Sequence, residues 1–167
     1  MNLFFPSLAI IFCGGALSLV FCRQFALMKT IGVIGIAGGC LLGLIDAGTK
    51  LFRPGPYTAA FEYLNAFSLS FQIDALSAFF LVAIYAVCLL AALYSYHYMD
   101  NSQKALRTAG NYFFFSILTV FMALVVTAGN LITFMLSWEI MSLSSFFLVI
   151  YNYEAEENRR AGYLYFV

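Results

Sequence analysis

Five long apolar stretches, separated by short polar segments, constrain this 167-residue chain more than any single motif in it. A helix that crosses a bilayer needs about 20 apolar residues, because the hydrocarbon core is about 30 Å thick. The stretches cover residues 3–21, 30–47, 75–96, 112–128 and 131–151. With 63% of residues hydrophobic and 10% charged, the chain has too little polar surface to fold in water. An all-α integral membrane fold is the expectation. The net charge of zero suggests neither nucleic acid nor an acidic substrate as a partner.

The first stretch starts too close to Met1 to leave a charged leader and has no small-residue cleavage site after it, so it reads as a retained helix. Gly129 and Asn130 are all that separate the last two stretches, which predicts a tight antiparallel helical hairpin. After the polar segment 154–160 the sequence turns apolar again at Ala161 and runs to Val167, as a sixth helix begins. The chain therefore reads as a single membrane domain, the N-terminal portion of something longer.

Basic residues orient the helices. Arg23 and Lys29 follow helix one, Lys104 and Arg107 follow helix three, and Arg159 and Arg160 follow helix five. Only Lys50 and Arg53 lie on the other side. The positive-inside rule then puts the N-terminus outside and the three basic loops in the cytoplasm. The outward segment 48–74 is broken at Pro54-Gly55-Pro56, and Phe67 to Ile73 alternates apolar with polar residues. That period is a strand's, and predicts a short β-hairpin capping the outer helix ends.

Several residues read as structural. Asp74, at the start of helix three, is placed to accept from free backbone N–H groups as an N-cap. Gly35, Gly39 and Gly43 form a stripe on helix two that lets another helix approach closely, within one protomer rather than as a homodimer face. The cysteines Cys13, Cys22, Cys40 and Cys88 have no metal-ligand spacing and read as small apolar fillers. His97 sits among Tyr94, Tyr96 and Tyr98 at headgroup level, a weak candidate for proton entry.

One residue calls for chemistry. Glu139 lies roughly 3 Å from the centre of helix five by helical rise, whereas every other acid reads as a helix-end or loop residue. A charge at that depth costs roughly 2.5–3.5 kcal/mol on insertion scales, and such residues line bundle interiors or proton paths. Desolvation favours a neutral carboxyl and a nearby cation favours its charged form, so a moving neighbour can load and unload a proton. On the helix wheel Ile132, Met135, Leu143 and Phe146 share the face of Glu139, with Leu136 and Ser142 beside it. Ser142 is the one local hydroxyl. Ser137, Met141 and Ser144 line the opposite side. A protonated Glu139 making one interhelical hydrogen bond as packing glue is the competing reading. No cation in the first five helices reaches that depth, so if Glu139 belongs to an ion pair its other half is expected beyond Val167.

These residues carry a resemblance. Phe71-Gln-Ile-Asp74-Ala-Leu-Ser77-Ala-Phe-Phe, Leu93-Tyr94-Ser95 with Tyr98-Met99, and Asn130 with Phe134-Met-Leu-Ser-Trp138-Glu139-Ile-Met-Ser-Leu-Ser-Ser resemble the antiporter-like proton-channel subunits. That family serves respiratory complex I, multisubunit cation/proton antiporters and membrane-bound hydrogenases. The wording of helix five and of Glu157-Asn-Arg159-Arg160-Ala-Gly-Tyr-Leu-Tyr is most similar to the large membrane subunit of formate hydrogenlyase and hydrogenase-4 complexes.

The resemblance implies a subunit of about fourteen helices in the inner membrane of a bacterium or archaeon, with inverted five-helix repeats. It implies that Glu139 pairs with a lysine two helices later and translocates protons, with Trp138 structural beside it. Redox chemistry would sit in a peripheral arm carried by other subunits. This chain would hold no cofactor, since nothing in it ligates iron–sulfur, nickel, flavin or quinone. The competing readings are a sodium/proton antiporter subunit and a non-transporting membrane anchor or assembly segment.

Overall fold

The computed structural model describes residues 3–53, 55, 57–63, 67–99 and 105–150. Pro54, Pro56, Lys104, Tyr151, the polar segment 154–160 and the expected sixth helix from Ala161 lie outside the described residues.

Among the described residues, five helices and one hairpin follow in chain order: α1 (Phe4–Val20), α2 (Phe25–Phe52), β1 (Tyr57–Tyr63), β2 (Phe67–Ile73), α3 (Ala75–Tyr98), α4 (Ala105–Val126) and α5 (Leu131–Val149). The helices α2 to α5 are each long and apolar enough to span a bilayer, and α1 is a shorter apolar helix of 17 residues. The chain is a multi-pass membrane protein. Its strands pair antiparallel in a single register, from Tyr57 opposite Ile73 to Tyr63 opposite Phe67.

Close packing of α1 on α2 is made by glycine. In lipid, helix association rests on van der Waals contact, which small residues improve by letting backbones approach. A Cβ on Gly35 would lie 2.5 Å from the Cα of Gly14, and one on Gly39 would lie 2.4 Å from Ile11. Gly43 leaves room for the ring of Tyr85 from α3, whose outer carbons would be 2.6 Å from a Cβ there. The stripe thus serves contacts inside this one chain. The core gathers Phe4, Ile11, Ile36, Leu81, Tyr85 and Tyr112 from α1 to α4.

The helix α2 begins at Phe25 rather than Thr30 and ends at Phe52 rather than Ala47. Hydropathy stops at Lys29 and Asp46, but helical backbone does not. Lys29, Asp46 and Lys50 are all buried, and Asp46 with Lys50 forms an ion pair one turn apart. Asp46 is therefore not a helix-end acid: it sits inside α2 with its charge matched.

The hairpin is sewn to the turn between α4 and α5. Gln72 N–H donates to the Thr127 carbonyl and Gly129 N–H to that of Ser70, both at 2.7 Å. Asn130 Nδ2 donates to the Ser68 carbonyl at 2.6 Å, and Ser70 N–H to Thr133 Oγ1 at 3.1 Å. These bonds cover the outer edge of β2. Edge-to-face contacts of Phe5 with Phe61 and Phe71 bring the start of α1 to the same end.

Candidate functional site

The helix α5 is built to show two faces. Asn130 caps it, its Oδ1 accepting from Thr133 N–H at 2.8 Å, which satisfies one of the free donors of a first turn. Thr133, Ser137 and Ser144 are its buried residues. They recur at helical spacing, and α4 is the helix against which α5 chiefly packs. The Ser144 hydroxyl donates to the carbonyls of Ile140 and Met141, so its hydrogen is not stranded in the interface. Stacked rings of Phe114 and Phe147, 4.5 Å apart, close the same seam.

The other face stays open. Ile132, Met135, Leu136 and Leu143 are exposed, and Glu139 stands exposed among them, next to Ile140 at the midpoint of α5. Among the described residues no ion pair or hydrogen bond reaches its carboxylate. Ser142 lies one turn on, and its carbonyl accepts from Ser145 Oγ at 2.8 Å. Trp138, half-exposed, has its ring 6.0 Å from that of Phe134.

The structure does not gather the other sequence candidates around Glu139. His97 is exposed near the end of α3, against the ring of Tyr96, and α3 shares no packed interface with α5. Lys29 lies in the first turns of α2, its ammonium 4.9 Å from the centre of the Tyr96 ring. Lys50 is at the far end of α2, engaged by Asp46. Gly35, Gly39 and Gly43 face α1 and α3, away from α5.

Asp74 works at the hairpin end. Its Oδ1 accepts from Ser77 N–H at 2.7 Å, in the extended backbone conformation of an N-cap. That bond to the charged form holds its carboxyl below the usual carboxylate range. Among the described residues no three His, Cys, Asp or Glu side chains converge as metal ligands.

Sequence reasoning missed the buried Asp46–Lys50 pair. Its signal was present: acid and base at i,i+4, acid first, is the favourable helical ion-pair spacing.

Comparison with known proteins joins these features to a family. Residues 63–107 match the family described as NADH-ubiquinone oxidoreductase (complex I), chain 5 N-terminus. Residues 128–167, which include α5, match the family described as NADH:quinone oxidoreductase/Mrp antiporter, transmembrane. Hydrogenase-4 component B of Escherichia coli is 32% identical over 83% of this chain and 20% of its own length. NADH-ubiquinone oxidoreductase chain 5 of Chondrus crispus is 30% identical over 90% of this chain and 22% of its own. The chain thus spans about a fifth of the length of these relatives. A chain in the structure of an archaeal membrane-bound sulfane sulfur reductase shares the fold, with a TM-score of 0.67 at 24% identity over 86% of this chain and 22% of that one. Matched in chain order by both family descriptions and along most of its length by these relatives, the chain belongs to the antiporter-like membrane-subunit family of complex I chain 5, hydrogenase-4 component B and the Mrp antiporters.

Proposed function

We propose that this chain forms the leading helices of a proton-translocating membrane subunit in a redox-driven respiratory complex, hydrogenase-like before complex I-like, with Glu139 as a relay carboxylate. One observation carries the reading: a lone carboxylate at mid-helix on the open face of α5, while the opposite face is committed to α4. An ionisable group at that depth needs a polar partner or water. The partner is a cation on a later helix of the full subunit, packed against Ile132, Met135 and Leu143. Partner membrane subunits and a peripheral arm supply the electrons, and the relay moves protons as its cation neighbour approaches and withdraws.

The family description that names Mrp antiporters favours one other reading, sodium/proton exchange. Everted vesicles carrying the assembled complex separate the two. Donor oxidation drives proton uptake without sodium in the favoured reading, and requires sodium in the other. The orientation proposed with it, N-terminus outside, is contradicted if a cysteine placed at position 104 is labelled from the outer face.

A further inference from the structure

Away from the face of Glu139, the corner where α1, α2 and α3 meet encloses a second set of polar groups. Asp46 and Lys50 pair there with side-chain exposures of 9% and 5%. The Lys50 ammonium also lies 5.7 Å from the centre of the Phe4 ring and 5.3 Å from that of Tyr57. Lys50 donates to Oδ2 of Asp46, which leaves acceptor capacity on Oδ1. One turn earlier on α2, Gly43 admits the ring of Tyr85.

Tyr85 is fully buried, and its hydroxyl has no hydrogen-bond partner among the described residues. The Ser7 hydroxyl is beside it without closing a hydrogen bond, and Cys40, Asp46 and Cys88 are within electrostatic range. The Ser7 hydroxyl already donates to the Phe4 carbonyl at 2.7 Å, so it can only accept from a further partner. A buried phenol O–H is paired in nearly all folded proteins, by protein or by ordered water. Buried water sits where two to four polar groups converge. Here a phenol donor, with a hydroxyl acceptor beside it, lies against Gly43, one helical turn from a carboxylate with acceptor capacity to spare and its ammonium partner.

We propose that this corner is a water-binding site: an ordered water accepts from Tyr85 Oη and donates to the Asp46 carboxylate, with Ser7 Oγ as a second acceptor. The water hydrates an ion pair otherwise enclosed by Phe4 and Tyr57. It also gives that pair a proton-exchange partner in a part of the bundle that Glu139 does not face. The site stands whether or not Glu139 is a relay.

The test is an electron cryo-microscopy map of the assembled complex, at a resolution that shows waters elsewhere in the same subunit. A density peak within hydrogen-bond distance of Tyr85 Oη and of Asp46 is expected. It is expected to vanish in Tyr85→Phe while the helices keep their places. A map with no peak at Tyr85 overturns the proposal, as does a direct bond from its hydroxyl to a protein group or a peak unchanged in Tyr85→Phe. The wild-type map decides the matter even where the variant does not assemble.

Discussion

Ser137 and Glu139 are two residues apart on α5 and face opposite ways: Ser137 is buried at the packed seam, and Glu139 is exposed on the open side. The short serine lets α5 lie close to α4. That contact fixes the rotation of the helix, and the rotation aims the carboxylate outward from this group of helices.

Substitution should therefore disturb packing at the first position and not at the second. Ser137→Leu forces extra methylenes into a close seam, at a cost of about 1–3 kcal/mol, and should lower the thermal midpoint of the purified complex. Glu139→Gln removes no contact made within these helices, so that midpoint should not fall because of α1–α5 packing.

Neighbouring glycines on α2 offer an internal control. Gly35→Ala drives a methyl into the backbone of Gly14, whereas a Cβ at Gly38 meets nothing within 4 Å. Gly35→Ala should reduce the yield of assembled complex. Gly38→Ala should leave it unchanged or raise it, since alanine favours helix by about 1 kcal/mol over glycine.

Asp46→Asn leaves Lys50 buried without its counter-charge, which costs about 3–5 kcal/mol for a broken buried pair. The double change Asp46→Leu with Lys50→Met removes both charges and should be milder than the single change. Thermal midpoints of the three complexes check the order. A double variant worse than Asp46→Asn would show that the pair does more than balance charge.

At the start of α3, Asp74→Ala should cost about 0.5–2 kcal/mol, as lost N-caps do, while Asp74→Asn keeps an acceptor and should cost less. The bond from Ser77 lowers the Asp74 carboxyl below its ordinary 3.8. A carboxyl depressed by folding stabilises above its unfolded value and loses that contribution as pH falls through the folded one. The advantage of wild type over Asp74→Asn should therefore fade below about pH 3.8, as read from acid denaturation curves.

Much of this was legible from residue order. Runs of apolar residues mark helices because lipid demands them, and alternation at Phe67–Ile73 marks a strand because its pleat does. The wheel also separated Ser137 and Ser144 from Glu139, since that needs only helical period. What escaped was pairing across distance. Hydropathy counts Asp46 and Lys50 against a membrane helix, yet an ion pair under two aromatic rings continues α2 past both. The bonds that tie Ser68 and Ser70 with Asn130, Gly129 and Thr133 join segments some sixty residues apart, and no local pattern announces them. The place of Glu139 midway along α5 was legible because it is a local property.

The central claim is that Glu139 carries protons, and the ratio of protons moved to electrons transferred tests it most directly. That ratio is to be measured in vesicles bearing the full-length subunit in its assembled complex, for wild type, Glu139→Gln and Glu139→Asp. The account predicts that Glu139→Gln lowers the ratio while assembly persists, and that Glu139→Asp, which keeps an ionisable group, retains part of it. An assembled Glu139→Gln complex that pumps at the wild-type ratio would contradict the account.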